Sequence, residues 1–373
     1  MRPPRALAAA LLAAPLAAAP LAAQGTVSAQ GLGYPPGQLS TMARGTGGAF
    51  GDVDPSSPIN PAAMAVVPST SVFAHYAPES RRITFGDARD DARVVRFPVI
   101  GAVLTVGQRM AFGVSSSTLL DRTWQTTSGD VSDPEAVLES FESRGAINDV
   151  RVAGSYTVSP RLHAGLGLHL LAGNNRLSVS RVDQSGEESN FTQTREIGFT
   201  GTAASAGLIW NAGRQIALSA SGQVGGAVRA KQGDSTIAEG SAPARASASV
   251  RYSGLTGAVL AARFAWDGWS SLADLGTERL GAQDATEIGV GADIVGPRFL
   301  GRSLALRVGA RWRELPFATL GEQPTEQGFS GGLGFSLGGN RALVDLSLER
   351  ARRSAGQARE TAWIFGAGLT VRP

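Results

Sequence analysis

Leu304-Ala-Leu-Arg-Val-Gly-Ala-Arg-Trp-Arg313 is the stretch whose pattern decides how the chain is read. Its even positions, Leu304, Leu306, Val308, Ala310 and Trp312, are apolar, while Arg307, Arg311 and Arg313 share the opposite face. Successive side chains that point to opposite faces are the mark of a β-strand. The same split recurs in both directions. Ala342, Val344, Leu346 and Leu348 oppose Asp345, Ser347 and Glu349; Leu162, Ala164, Leu166, Leu168 and Leu170 oppose His163, Gly165, Gly167 and His169. Ala244, Ala246, Ala248, Val250 and Tyr252 oppose Arg245, Ser247, Ser249 and Arg251. Such a sheet is wet on one face and apolar on the other.

Composition agrees with a large β-structure. The 373 residues include 48 Gly and no Cys, with 17% charged and 43% hydrophobic residues. Zero Cys removes disulfides, thiolate chemistry and Cys-ligated zinc. The hydrophobic share argues against intrinsic disorder. A formal charge of +3, with Arg2 and Arg5 in a segment expected to be removed, gives no basis for nucleic-acid binding. Residues 1–23 read as a secretory signal: two early arginines, an Ala/Leu/Pro run and small residues, with cleavage possible up to residue 29. No later run reaches the length of a spanning helix, so any membrane is entered as strands.

Strand length and loop asymmetry choose between a soluble exported β-sandwich and a membrane barrel. The alternating segments run longer than the usual globular strand of roughly 3–10 residues. Short turns are expected at Gly107-Gln108, Ser159-Pro160, Ala212-Gly213, Ser253-Gly254, around Gly296-Pro297 and at Gly339-Asn340. Between them lie polar stretches near 126–144, 183–190, 231–242, 267–284, 315–328 and 353–358. Short turns at one end and long loops at the other are the outer-membrane pattern. The expected fold is all-β: a transmembrane antiparallel β-barrel of about fourteen strands over residues 71–373, the first two near 71–78 and 95–106.

Between signal and barrel runs Met42-Ala-Arg-Gly-Thr-Gly-Gly-Ala-Phe-Gly-Asp-Val-Asp-Pro-Ser-Ser-Pro-Ile-Asn-Pro-Ala-Ala-Met-Ala65. Its glycines and prolines preclude a regular helix or strand, and irregular backbone at membrane depth survives only where protein encloses it. The segment resembles the opening of the FadL-type long-chain fatty-acid transporters and the related secretion-shuttle barrels. Gly47, Gly48, Asp54, Asn60, Pro61, Ala62 and Met64 match that opening, with Ala63 where the family usually has Gly. The resemblance implies that residues 31–70 form a plug or hatch inside the barrel and that substrates are hydrophobic small molecules such as fatty acids. It further implies residence in the cell outer membrane, where the lipid bilayer, a hydrophobic ligand and the assembly machinery are the partners. The chain ends Leu369-Thr-Val-Arg-Pro373, without the terminal aromatic that such assembly commonly reads.

Several residues stand out as candidate sites. His163 and His169 are too far apart along one strand to share a metal, and with Arg307 and Arg311 they are expected to face the lumen. Arg151, Arg245, Arg251, Arg313, Asp149, Asp345 and Glu349 join them. The strand holding Phe97, Pro98 and Ile100 is apolar on both sides, with Phe97, Val99 and Val103 assigned to one face. Pro98 cannot donate a ladder hydrogen bond, so it is a candidate kink through which a ligand passes. Ser132–Glu142 reads as a short helix with Val137, Leu138 and Phe141 as an apolar stripe for ligand capture. Trp266 and Trp269 fit interfacial positions. No hydrolase, P-loop or zinc motif is present, and no Ser/His/Asp set is evident, so neither catalysis nor a cofactor is expected. Two readings remain: passive uptake by loop capture, a plugged lumen and plug movement or lateral opening, or a binding and shuttle barrel that transports nothing.

Overall fold

A computed structural model describes residues 27–67, 69–86, 88–128, 137–183, 191–276, 281–299 and 302–373. The expected signal segment, and residues 132–136 of the expected helix, lie outside them. The strands are β1 (Ser71–Phe85), β2 (Ala88–Arg96), β3 (Val99–Val106), β4 (Met110–Asp121), β5 (Trp124–Ser128), β6 (Val137–Ser159), β7 (Leu162–Asp183), β8 (Phe191–Asn211) and β9 (Ile216–Gln232). They continue as β10 (Ser235–Ser241), β11 (Ala244–Leu255), β12 (Ala258–Gly268), β13 (Ala285–Phe299), β14 (Arg302–Glu314), β15 (Thr325–Leu337), β16 (Ala342–Ala355) and β17 (Ala358–Val371). All pair antiparallel, and β17 closes on β1. Three pairs lie end to end along one neighbour: β2 and β3 on β1, β4 and β5 on β6, β10 and β11 on β9. Fusing each pair leaves fourteen staves in a closed barrel, paired all round except along the β4 side of β2.

The alternation maps onto two environments. In β14, Arg307, Arg311 and Arg313 are buried, while Val308 is 53% exposed. In β7, His163 and His169 are buried and Leu166 and Leu168 are 70% and 71% exposed. The face without water is thus the outer one, an apolar belt for lipid chains, and the polar residues line the lumen. A mean hydropathy near zero averages these two faces.

Four expectations change. The first two strands run on to meet in a tight hairpin at Phe85–Ala88, and tight hairpins also replace the loops expected near 231–242 and 353–358. Strand pairing continues past the apolar belt there, with Arg353–Glu360 bridging β16 and β17 on the inward face and the exposed pairs Arg82–Asp91 and Arg229–Glu239 bridging the other two hairpins. Gly296 and Pro297, expected at a turn, instead lie inside β13. Val137, Leu138 and Phe141 lie in β6, paired with β7 over Val137↔Asp183 to Phe141↔Val179, so the residues from 137 onward are strand, not helix. The ladder's hydrogen bonds outweigh the local capping pattern. Trp269 is 1% exposed, inside the protein rather than at an interface, while Trp266 does face outward.

The N-terminal segment touches the inward face around most of the ring. It contains α1 (Thr41–Gly45), capped by Ser40, and a 3-10 helix at Pro61–Val66, capped by Asn60. Wall glycines make room for it: a Cβ at Gly309 would lie 2.1 Å from the Thr46 carbonyl carbon, and one at Gly207 1.9 Å from Asn60 Oδ1. Part of the glycine excess is therefore close backbone approach between segment and wall.

Candidate functional site

The lumen is divided between two chemistries. Strands β13–β17, β1 and β2 contribute a dense charged network centred on Tyr34. Arg353, fully buried, donates to Glu326 at 2.6 Å, to Glu79 at 2.7 Å, to Glu360 at 3.2 Å and to the Tyr34 hydroxyl at 2.9 Å. The Tyr34 hydroxyl donates to Glu326 at 2.6 Å. Burial raises the Tyr34 pKa above its ordinary value, which keeps that proton in place. The guanidinium groups of Arg353, Arg96 and Arg313 stand 4.2, 5.1 and 5.1 Å from the Tyr34 ring centre, so one aromatic ring meets three cations. Arg311 reaches Glu349 at 2.7 Å and Glu326 at 3.1 Å, and Arg44 of α1 joins Glu349 at 3.3 Å. Each buried charge of this network has an opposite partner, the condition under which burial is tolerated.

Strands β4 to β9, towards the end with the longer connections, are lined differently. Leu119, Leu120, Ile147, Leu171, Ile197, Phe199 and Val228 point inward and pack with Trp269, Leu272 and Leu275 after β12, with Phe317, and with Leu32 of the N-terminal segment. Such a cluster is unexpected on the wet face of a barrel. Arg122 lies over Phe199 at 5.2 Å, and its Nε and Nη1 atoms are buried without a hydrogen-bond partner.

The wall between the two sectors is interrupted at Pro98. Ala77 stands opposite Arg96 and Ala74 opposite Ile100, so three steps on β1 face four on β2 and β3: a bulge. Inward parity switches there. Pro98 and Val99 are both buried, whereas Phe97 and Ile100 are 66% and 54% exposed on the bilayer side. Phe97 therefore shares a face with Ile100 and not with Val99, as the extra residue demands. The Pro98 carbonyl accepts from Thr118 N at 3.2 Å, the last main-chain bond from this stave to β4. Among the described residues β2 pairs only with β1. In its place Tyr34 bridges to Asp121 by two main-chain bonds of 2.9 and 2.8 Å, and Arg96 pairs with the Asp121 carboxylate. Gly33, at φ +103°, passes so close that a Cβ would lie 2.2 Å from the Asp121 carbonyl oxygen.

The other candidates fall into place around this frame. Gly47 and Gly48 take positive φ against β13 and β14. Asp54 accepts from Ser40, Ser57 Oγ at 2.8 Å and Ser56 N at 3.0 Å, tying the segment to itself. The Asn60 side chain accepts from Ala62 N at 2.9 Å and donates to the Leu208 carbonyl at 3.2 Å, and Met64 is buried beside Gly113. Arg307 pairs with Asp293 and Asp345. His163 meets Thr157 Oγ1 at 3.1 Å.

His169 lies 2.8 Å from Asp149 through Nδ1 and 2.8 Å from Ser205 Oγ through Nε2. Strand register thus assembles an Asp–His–Ser series that the sequence pattern did not reveal. Gln38 closes over it, donating to Asp149 at 2.9 Å and to Ser117 at 2.7 Å. All three residues are buried, and Ser205 sits mid-strand with no turn to present its hydroxyl to a substrate. The series anchors the N-terminal segment. A cavity of about 60 Å³ between that segment and β9–β13, bordered by Gln38, Leu39, Ile59, Arg245 and Asp267, is too small for a lipid-sized ligand.

Tyr34, Arg353, Glu79, Glu326 and the apolar cluster were not singled out from sequence. For Arg353 the signal was present, because extending the Asp345, Ser347, Glu349 face by two steps twice reaches it. For Tyr34 and Leu32 there was none, since no period runs through their segment.

Taken together, these features define a transmembrane β-barrel whose inner wall holds an N-terminal segment. No protein-family model and no curated protein sequence matches the chain. Among solved structures it is similar to a FadL homologue of Pseudomonas aeruginosa, at 15% identity over 91% of this chain and 99% of that one, with a TM-score of 0.64. It is likewise similar to the toluene transporter TodX of Pseudomonas putida, at 14% identity over 90% and 98% of the two chains, with a TM-score of 0.62. The monoaromatic hydrocarbon channel CymD follows at 14% identity, 92% and 99% coverage and a TM-score of 0.59. The chain has the fold of the FadL-type barrels.

Proposed function

We propose that the protein is an outer-membrane channel for passive uptake of hydrophobic small molecules, with residues 31–70 as its plug. The observation that carries this reading is the apolar cluster on the inner wall of β4–β9, a face that is commonly polar in outer-membrane barrels. Arg122, with its unbonded Nε and Nη1 at the edge of that cluster, adds a cation suited to an amphiphile with an acidic head such as a fatty acid. The likeness to hydrocarbon channels supports the same class of cargo. Val137, Leu138 and Phe141 would belong to the capture surface as strand residues, and Phe97, Pro98 and Ile100 to a lateral exit beside the β2–β4 gap. The described state is closed, so passage requires the segment around Tyr34 and Gln38 to move.

The charged network favours one competing reading, a shuttle or binding barrel in which a locked plug never opens. Cells lacking their own uptake route and expressing the protein decide between them. Accumulation of a labelled long-chain carboxylic acid several-fold above empty cells is the expected outcome. Accumulation equal to that of empty cells, with the folded barrel present in the membrane, would leave only the shuttle.

A further inference from the structure

Beyond the apolar belt, the outer wall of β16, β17, β1 and β2 carries a field of arginines. Register places them in three adjoining rows. The row next to the belt runs Arg350–Trp363–Ser80–Arg93, the next Arg352–Thr361–Arg82–Asp91, and the last Ser354–Arg359–Thr84–Arg89. All six arginines are exposed. One step towards the short turns, Leu348 stands opposite Phe365 and Pro78 opposite Val95, so charge begins where apolar side chains end. Four strands span about 14 Å at the usual strand spacing, which puts six guanidinium groups within reach of one headgroup.

This field is not balanced on its own face. Among the described residues Asp91 is the one acid in these three rows, and it is taken by Arg82 at 2.9 Å; Asp90, at the inward position opposite Ile83, is also exposed and accepts from Asp91 N at 2.8 Å. Glu79, Glu349 and Glu360 on the same strands point into the lumen and are bound there by Arg353, Arg311 and Arg96. Elsewhere on the outer wall acids accompany the arginines: Arg144 pairs with Glu142 at 2.5 Å, and Arg176 stands opposite Glu196. Arg350 lies 5.5 Å from the ring centre of Trp363, which is 49% exposed. An aromatic at this level marks the boundary between hydrocarbon and headgroups.

We infer that this field binds the phosphate groups of glycolipids in the leaflet around the long-connection end of the barrel. Guanidinium groups meet phosphate oxygens in pairs of charge-assisted hydrogen bonds, and clustered basic residues at a bilayer surface attract anionic lipid. The inference shares with the proposed function the orientation of the barrel, with long connections outward, but not its transport activity. Solvated arginines that select no lipid are the alternative.

The test uses the full-length barrel in a neutral detergent, with diphosphorylated lipid A as the probe and binding read by native mass spectrometry. Three forms are compared: the natural chain, Arg350→Gln/Arg352→Gln/Arg359→Gln, and Arg109→Gln/Arg161→Gln/Arg214→Gln at the short turns, which removes equal charge from the other rim. The natural chain and the rim variant are expected to retain the probe, and the first variant to bind about tenfold more weakly. A dephosphorylated lipid A should bind the natural chain as weakly as the intact probe binds that variant. Equal retention by both variants, or equal binding of the dephosphorylated lipid to the natural chain, overturns the inference. The second comparison needs no substitution, so it stands even if a variant does not fold.

Discussion

The two sides of the lumen are held together by opposite means. On β13–β17, β1 and β2, Arg353 and its carboxylates form a network in which every member depends on its neighbours. On β4–β9, Leu120, Ile147, Leu171 and Phe199 pack without direction. A charged network is cooperative and brittle: removing one partner leaves another buried and unpaired. An apolar cluster is tolerant and can part around a guest of similar chemistry, because it exchanges one apolar contact for another. The N-terminal segment touches both, with Leu32 in the apolar cluster, Tyr34 in the network and Gly33 wedged against Asp121 between them. The network therefore fixes the segment, and under the proposed uptake the cluster is where a ligand would enter.

Arg353→Met gives the sharpest test of that division. It takes one cation from Glu79 and Glu326, which keep Arg96 and Arg311, and leaves Glu360 with Ser28 in place of a cation, so a loss of about 3–5 kcal/mol is expected from denaturant unfolding in detergent. A loss below about 1 kcal/mol would show that water already screens the network, and that the contrast between the two sides is false.

Leu171→Ala removes a side chain that is 2% exposed in the apolar cluster. Loss at the lower end of the range of roughly 2–5 kcal/mol for such truncations is expected, because a cluster built to open can also collapse. Uptake should change more than stability does. A loss at the top of the range with uptake unaltered would instead mark the cluster as an ordinary core.

Gly33→Ala tests the hinge between the sides. Its φ of +103° and the Asp121 carbonyl in the path of a Cβ predict a penalty of about 1–3 kcal/mol. Because the strain is local to the segment, it should appear as faster amide exchange at Tyr34 and Asp121 rather than as global unfolding. Unchanged exchange at both would show that the segment is not held there.

How far the sequence revealed this molecule follows the same line. The wall was legible because a period of two states which side chain meets lipid: Val308 and Leu168 out, Arg307 and His169 in. The stave number was legible from turns and loops for the same reason. Register was not, and everything that depends on it was missed. The meeting of Asp149, His169 and Ser205 needs the pairings Arg151↔His169 and His169↔Ala203 to set three strands relative to one another. Phe97 was assigned to the wrong face because one bulge residue at Pro98 inverts every assignment beyond it. The helix read into 132–142 failed from residue 137 onward, since local capping signals compete with a ladder that only the partner strand β7 supplies. Pro98 itself was legible, because a missing N–H is written in the residue type.

Pro98→Ala carries the smallest expected effect on stability and the most direct one on the exit route. Restoring flexibility to the unfolded chain costs about 0.4–1 kcal/mol. The alanine brings an N–H to the one place where β2 and β3 break step on β1. A chain able to close that ladder can take the extra residue out of the bulge, bring β2 towards β4 and leave Tyr34 no longer needed at Asp121. Uptake of the labelled carboxylic acid is then expected to fall several-fold, while the denaturation midpoint hardly moves. If uptake stays at the natural level with the gap closed, the ligand leaves along the lumen, and the asymmetry between the two sides serves the plug alone.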